Sequence, residues 1–488
     1  MKTTRLLLTL TMVLMANAVA FGQGAPVKIT LGSQFYNSTP VPADDPIKKE
    51  FEKRTNTVLD CRWTPAANYK DVQNLTLASG DIPDVMLILN PNDINVRKAF
   101  AAKAAYDVTD AYKSYPSLAS WPAASWNNVK AADGRIYCIP RVRPTDGQPV
   151  IVYRADLFKA AGVALPKTTE ELFAAIGKVK AKFPDYTGFL TGSNNGLSPA
   201  IGYLTDSMAK VNGSFVWTDG KVDAAEFQPG YKVGLVWAKK FYDAGFLNKD
   251  FVTIKNHQDG PIQEGKWIVS TCGSLQDVNA LDEALAKVDP KAEVVPGILN
   301  DYAQKQGGYF GVYIINAKVS PEKFKAIMKM LDYANSDEGA RLLASGIEGI
   351  DYDMVNGKMV IRKGREDAIQ LAGGSLTGIG QPFTKYLRAS INIPSVPKEK
   401  LARNMALVDQ MEKISIANPM DAGIVTATGD KLMSQYYKRT MDMRTKFVLG
   451  GETVATWDAY VAGLKNDETF QKILQELTES YKSKAGLK

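Results

Sequence analysis

The chain has 488 residues, of which 45% are hydrophobic and 23% charged, with a formal charge of +7. This composition excludes a disordered or fibrous chain, and the length exceeds what one hydrophobic core supports, so two lobes are expected. The basic residues are scattered singly among acidic ones, with no Lys/Arg run interleaved with aromatics, so nucleic acid is not an expected partner.

At the start, Lys2 and Arg5 precede an apolar run from Leu6 to Met15, and Ala18-Val19-Ala20 then supplies the small residues a signal peptidase accepts. The run is about half the length of the roughly 20 residues that a membrane-spanning helix needs. A signal peptide over residues 1–20 is therefore expected to be cleaved, with the mature chain starting near Phe21, free in a periplasm. The first cysteine is Cys61, so the lipid-bearing residue of a lipoprotein is not expected.

Val27 to Leu31 alternates like a strand, and Gly32 to Pro46 reads as a polar loop carrying Phe35 and Tyr36. Helical spacing follows from Ile47 to Arg54. Val85 to Leu89 is a continuous apolar run introduced by turn formers, which suits a parallel sheet covered on both faces. Strand, helix, strand in this order gives an α/β lobe. Thr168-Thr169-Glu170-Glu171 fits a capping box ahead of an apolar stripe through Leu172, Phe173, Ile176, Val179 and Phe183. Asp219-Gly220 marks a hairpin turn. Strands are expected over Trp267 to Thr271 and Gly308 to Ile315. Ser320-Pro321 opens a helix with Phe324, Ile327, Met328 and Leu331 on one face. From about Glu399 the pattern is mostly helical, with a cap expected at Thr456. Trp121, Trp126, Trp217 and Trp237 read as packing residues.

The chemical inventory is short. His257 is the single histidine and sits in a polar loop, Ile254 to Gly260, where an exposed side chain is expected. One histidine excludes HExxH and multi-histidine zinc sites, and no G-x-S-x-G elbow accompanies it. Gly378-Ile379-Gly380 lacks the third glycine of a nucleotide-binding turn, and no phosphate loop occurs. Cys61, Cys138 and Cys272 lie far apart with no CxxC; the first two read as small buried hydrophobes, and whether any pair bridges stays open. No cofactor and no metal is expected. A carboxylate pair for glycoside hydrolysis remains open, since any two acids can meet in a cleft.

Five motifs occur in a consistent order: Ala78-Ser79-Gly80-Asp81-Ile82-Pro83-Asp84-Val85, Asp133-Gly134-Arg135-Ile136-Tyr137-Cys138-Ile139-Pro140, Tyr153-Arg154-Ala155-Asp156-Leu157-Phe158-Lys159-Ala160-Ala161-Gly162, Pro166-Lys167-Thr168-Thr169-Glu170-Glu171-Leu172, and Gly346-Ile347-Glu348-Gly349-Ile350-Asp351-Tyr352 with Asn356-Gly357-Lys358. Through them the chain resembles the extracellular solute-binding proteins of ABC importers, family 1. It is most similar to the branch that binds alginate and other oligosaccharides. The resemblance implies a two-lobed α/β periplasmic-binding-protein fold with a hinge, a ligand cleft and a helical C-terminal region. It places crossings near Arg141 to Val150 and Gly307 to Asn316. One lobe would combine residues 27–147 with about 316–400, the other 148–315 with about 401–488. Some relatives carry a calcium loop after the helix that follows the Pro-x-Thr segment. Here that stretch, Lys182 to Gly188, holds one carboxylate, so calcium is not expected, since it takes six to eight oxygens.

The function so implied is capture of a carbohydrate, an oligosaccharide with uronate-containing chains in range, by a monomer that hands it unchanged to membrane permease subunits. A sensory binding protein feeding a receptor and a polysaccharide-degrading enzyme are the alternatives. A sugar presents hydroxyls and apolar C–H faces, so its cleft joins aromatic platforms to aimed polar groups, gathered beyond the carboxyl ends of strands. That rule selects Phe35 and Tyr36, Asn90 and Asn92, and Ser274 in Cys272-Gly273-Ser274. Arg141 and Arg143, at a crossing, either grip a carboxylate or steady the hinge. Tyr309 and Phe310 either line the cleft or pack in the core.

Overall fold

The computed structural model describes residues 24–193, 198–255, 257, 260–355, 358–381, 383–389 and 396–487. The expected signal peptide, Phe21, and Asn356 and Gly357 of the last motif lie outside the described residues.

The strands are β1 (Val27–Phe35), β2 (Thr57–Pro65), β3 (Val85–Ile88), β4 (Ile139–Val142), β5 (Val150–Arg154), β6 (Thr187–Phe189), β7 (Phe215–Thr218), β8 (Lys221–Ala224), β9 (Trp267–Cys272), β10 (Val294–Gly297), β11 (Ala303–Lys305), β12 (Tyr309–Ile315), β13 (Tyr352–Val355), β14 (Lys358–Ile361) and β15 (Ser415–Ala417). Nine of them form two main sheets, and the other six pair two by two as β7-β8, β11-β15 and β13-β14. The first has the order β2-β1-β3-β12-β4 and the second β10-β5-β9-β6.

The first sheet is parallel across β2, β1 and β3, as a continuous apolar β3 with every residue buried requires. It is mixed beyond that point, because β12 runs antiparallel to both β3 and β4. Helices cover it: Ile47 and Phe51 from the helix Pro46–Thr55, and Ile327, Met328 and Leu331 from Pro321–Ala334, all enter one core with Leu31, Leu87 and Ile314. Each such side chain contributes about 1.5–3 kcal/mol on burial. Trp121 and Trp126 are in this core as well, in packing roles.

In the second sheet β5 lies between antiparallel β10 and β9, and β6 pairs parallel to β9. The helix Thr169–Lys182 starts at Thr168, whose side chain accepts from Glu171 N. The reciprocal half of the expected box is displaced: Glu171 Oε2 accepts from Lys167 N instead (2.7 Å). The Asp219-Gly220 turn joins β7 to β8 with φ of 50° and 75°, the pair of positive angles that makes Gly fit there. The C-terminal helices Gly429–Leu449, Val454–Asn466 and Glu468–Ala485 pack Tyr436, Leu464, Phe470 and Ile473 against Phe215 and Val222 of this hairpin. Thr453, one turn before the expected Thr456, is the cap, and the two threonines form a reciprocal box.

Two crossing segments are bonded side by side. Arg143 N donates to Gly308 O (2.9 Å) and Gln306 N to Thr145 O (2.7 Å). Residues 143–149 and 306–308, where the hinge is expected, thus run side by side. β12, which ends at Ile315, pairs in the first sheet, while Tyr386 and Ala389 pack against the core of the second. Both placements rest on pairing and packing partners far along the chain.

His257 corrects another expectation. It is fully buried, and its Nε2 lies 3.1 Å from Thr271 O. Cys138 and Cys272 are buried and Cys61 half-buried, all three as free thiols. In the segment compared with a calcium loop, Lys180 Nζ donates to Pro184 O (2.9 Å) and Tyr186 O (2.8 Å), so an ammonium group occupies those carbonyls.

Candidate functional site

At the carboxyl end of β1 the alternation of a strand separates two neighbours. Phe35 is buried, whereas Tyr36 is 58% exposed. Tyr36 is fixed from both ends: its backbone N–H donates to Gly374 O (3.3 Å), and its ring hydroxyl accepts from Gln34 Nε2 (2.6 Å).

A bulge in β12 sets the second ring. The β12–β4 register shifts between Tyr309 and Val312, and Gly311 sits between them at φ +76°. A Cβ at Gly311 would lie 2.9 Å from Ile88 O, so only glycine permits both the angle and the approach. The shift turns Phe310 outward, 53% exposed, with the Arg141 guanidinium carbon 5.7 Å from its ring centre.

Arg141 and Arg143 leave the end of β4 toward this edge. Arg141 is 8% exposed, and its Nε and Nη1 are buried with no hydrogen-bond partner. Arg143 donates from Nη1 to Val142 O (2.8 Å). Burial, then the guanidinium groups of Arg141 and Arg388, push Arg143 down to about 9, so it stays a cation at neutral pH. The exposed rings Tyr36 and Phe310 and the more enclosed cations Arg141 and Arg143 therefore form one cluster beside the crossing segments.

Tyr309 and Asn92 belong to a different joint. Asn92 eases the rise that burial gives the Tyr309 hydroxyl, and Asp421 beside them has its carboxyl raised by burial to about 6. Gly423 packs against Asn92, its Cβ direction meeting Oδ1 at 2.6 Å. Beside them Arg97 Nη2 bonds both oxygens of Asp430 (2.6 Å each), and Lys484 Nζ donates to Lys130 O (3.0 Å), tying the C-terminal region to the first lobe. Asn90 is exposed and its Oδ1 accepts from Asn92 N (2.9 Å), an Asx turn that leads into the helix Ile94–Ala101. Ser274 is 1% exposed and caps the helix Leu275–Val288, with its hydroxyl donating to Asp277 (2.9 Å). Its hydroxyl is thus engaged within its own helix.

Two cavities lie nearby in the chain's fold, and the first of them reaches Arg143 of the cluster. One, of about 770 Å³, is bounded by Arg143 at the hinge, Asp337, Arg341 and Gln381 on the first lobe, and Gln276 and Arg388 on the second. The other, of about 640 Å³, opens at the carboxyl end of β9, where Thr271 and Cys272 meet Ser198, Tyr203, Asp206 and Arg444. Burial raises Asp206 to about 7, against the opposing charge of Arg444 and a Thr205 hydrogen bond. Arg341, Arg388, Asp206 and Arg444 were not singled out by sequence reasoning. They come from helices and a linker with no strand end to point to them.

Among the described residues no helix is long and apolar enough to cross a membrane. The family model for bacterial extracellular solute-binding proteins matches residues 36–341. The polygalacturonan/rhamnogalacturonan-binding protein YtcQ of Bacillus subtilis (strain 168) is 28% identical over 478 residues, 94% of this chain and 92% of that protein. The fold is similar to that of a solute-binding protein from Bifidobacterium longum infantis described as binding HMO, with a TM-score of 0.74 at 14% identity, covering 94% of this chain and 99% of that one. It is also similar to the calcium-free crystal structure of the alginate-binding protein AlgQ2, with a TM-score of 0.68 at 19% identity, covering 93% and 98%.

Proposed function

The chain belongs to the bacterial extracellular solute-binding proteins, and from that premise we propose that it captures an oligosaccharide for an ABC importer and releases it chemically unchanged. The observation that carries this reading is the pair of exposed rings, Tyr36 and Phe310, held at the sheet edge beside Arg141 and Arg143. Ring faces suit the apolar faces of sugars, and guanidinium forks suit their hydroxyls and carboxylates. The name of the relative YtcQ, a binder of polygalacturonan and rhamnogalacturonan, supports extending the ligand class to uronate-containing chains.

Ligand binding favours closure only through contacts that the closed form adds, and a hinge of two hydrogen-bonded segments is suited to that motion. In this reading Phe35 supports Tyr36 from below, Asn90 lines the rim, and Ser274 positions the second-lobe helix. Tyr309 and Asn92 serve the joint between lobes. The leader directs export to the periplasm and is removed, the mature protein acts as a monomer, and permease subunits receive the closed form.

Isothermal titration calorimetry of the folded protein against a panel of neutral and acidic oligosaccharides tests the proposal. Saturable binding with the sugar recovered intact is the expected result. Silence across the panel, or release of shortened products, rejects it.

A further inference from the structure

We infer that the cavity bounded by Arg143, Arg341 and Arg388 is a carboxylate subsite, so that the ligand carries uronate residues at neighbouring positions along its chain. The inference rests on the oligosaccharide reading above and specifies its chemistry.

The arginines of this protein mostly find a carboxylate. Arg97 pairs with Asp430, Arg154 with Asp156 and Asp289, Arg362 with Asp353, and Arg365 with Asp351. Arg141, Arg143, Arg341 and Arg388 have no ion pair, and among the other described arginines only Arg403 and Arg444 share that condition. Four unpaired guanidinium groups thus converge on one region. Arg388 Nε is buried without a hydrogen-bond partner, as are Nε and Nη1 of Arg141.

Two acids stand nearby. Asp337 lines the cavity at the first turn of the helix Asp337–Ser345, and Asp277 accepts from Ser274 in the first turn of Leu275–Val288. Neither forms an ion pair with these arginines, and Asp277 only partly opposes the burial that lowers Arg388. Like charges gathered away from water are unfavourable in the empty protein, and a carboxylate bound bidentately offsets that. A volume of about 770 Å³ is within the range of ligand pockets.

The position gives the subsite a second role. Arg143 stands at the hinge, Arg341 on the first lobe and Arg388 on the second, so one anion there engages both lobes and favours closure. A sugar stacked on Phe310 near Arg141 would leave its neighbour's carboxylate to this cavity.

Tetragalacturonate and its fully methyl-esterified form separate charge from shape, and calorimetry is run with wild type, Arg388→Met and Arg341→Met. Wild type is expected to bind the acid at least tenfold more tightly than the ester. Each variant is expected to lose at least tenfold on the acid and stay within twofold on the ester. Indifference of wild type to esterification, or equal losses on both forms, overturns the subsite and leaves the oligosaccharide reading standing. Binding of neutral oligosaccharides alone does the same. Folded protein that ignores every sugar sinks both. Independently of any sugar, unliganded Arg388→Met is expected to melt higher than wild type, because a half-buried cation with an unpartnered Nε has been removed; a lower Tm assigns Arg388 to the architecture and overturns its ligand role.

Discussion

Replacing Phe310 with alanine isolates the stacking platform. The ring is 53% exposed, and a large aromatic side chain buries roughly 150–250 Å² in full, so about 100 Å² is free to cover a sugar face. At about 25 cal/mol per Å² that area is worth about 2.5 kcal/mol as an upper bound. Ordering the sugar and its hydroxyls offsets part of it, leaving about 1–2 kcal/mol, or roughly 5–30-fold in Kd. The same substitution removes little from the folded state, since changes at exposed sites usually stay within about 0.5 kcal/mol. Calorimetry with the oligosaccharide selected by the panel, beside a thermal melt, reads both quantities. Phe310→Trp keeps a platform and is expected to retain binding. A Kd within twofold of wild type for Phe310→Ala, or a Tm lowered by several degrees, refutes the reasoning, because the ring would then be idle or structural.

Two further outcomes follow from buried charges. Arg154 is 1% exposed and bonds Asp156 through Nε (2.9 Å) and Nη2 (2.8 Å), Asp289 through Nη2 (2.8 Å) and Gly265 O through Nη1 (2.5 Å); Arg154→Met strands these acceptors and is expected to lower stability by roughly 2–4 kcal/mol in urea unfolding, the partly exposed carboxylates moderating the loss. A change below about 0.5 kcal/mol would contradict it. Asp206, raised to about 7 chiefly by burial, holds its proton more tightly folded than unfolded; its contribution is therefore greatest below about pH 4 and declines as pH rises to about 7. Asp206→Asn is expected to flatten that part of the Tm–pH profile, and a variant that keeps the wild-type decline would show that Asp206 does not cause it.

Part of the candidate site can be reached from the sequence by its place in the chain. Tyr36 follows β1, where the rule that sites gather beyond the carboxyl ends of strands points, whereas Arg143 and Phe310 were reached through the crossings that the resemblance implies. The rule also selected residues whose polar groups are used locally. Ser274 caps a helix and Asn90 accepts from Asn92 N, because a side chain beside a helix start finds backbone donors before it finds a ligand. Arg388 was missed because nothing in its neighbours marks it. Only its convergence with Arg143 and Arg341 does, and that lies between segments far apart in sequence.

Local interactions explain what the residues alone determined: the Ser320 cap with Pro321, the Asp219-Gly220 turn and the apolar stripe through Leu172, Ile176 and Val179 all arise from bonds and periodicities within a few residues. The ordered motifs likewise pointed to the family. The tertiary structure decided the rest. β12 joins the first sheet antiparallel to β3 and β4, Gly311 bulges to turn Phe310 outward, and His257 is buried beside Thr271 of β9. Each depends on which distant segment supplies the neighbouring hydrogen bond or packing face, and spacing along the chain carries no record of that choice.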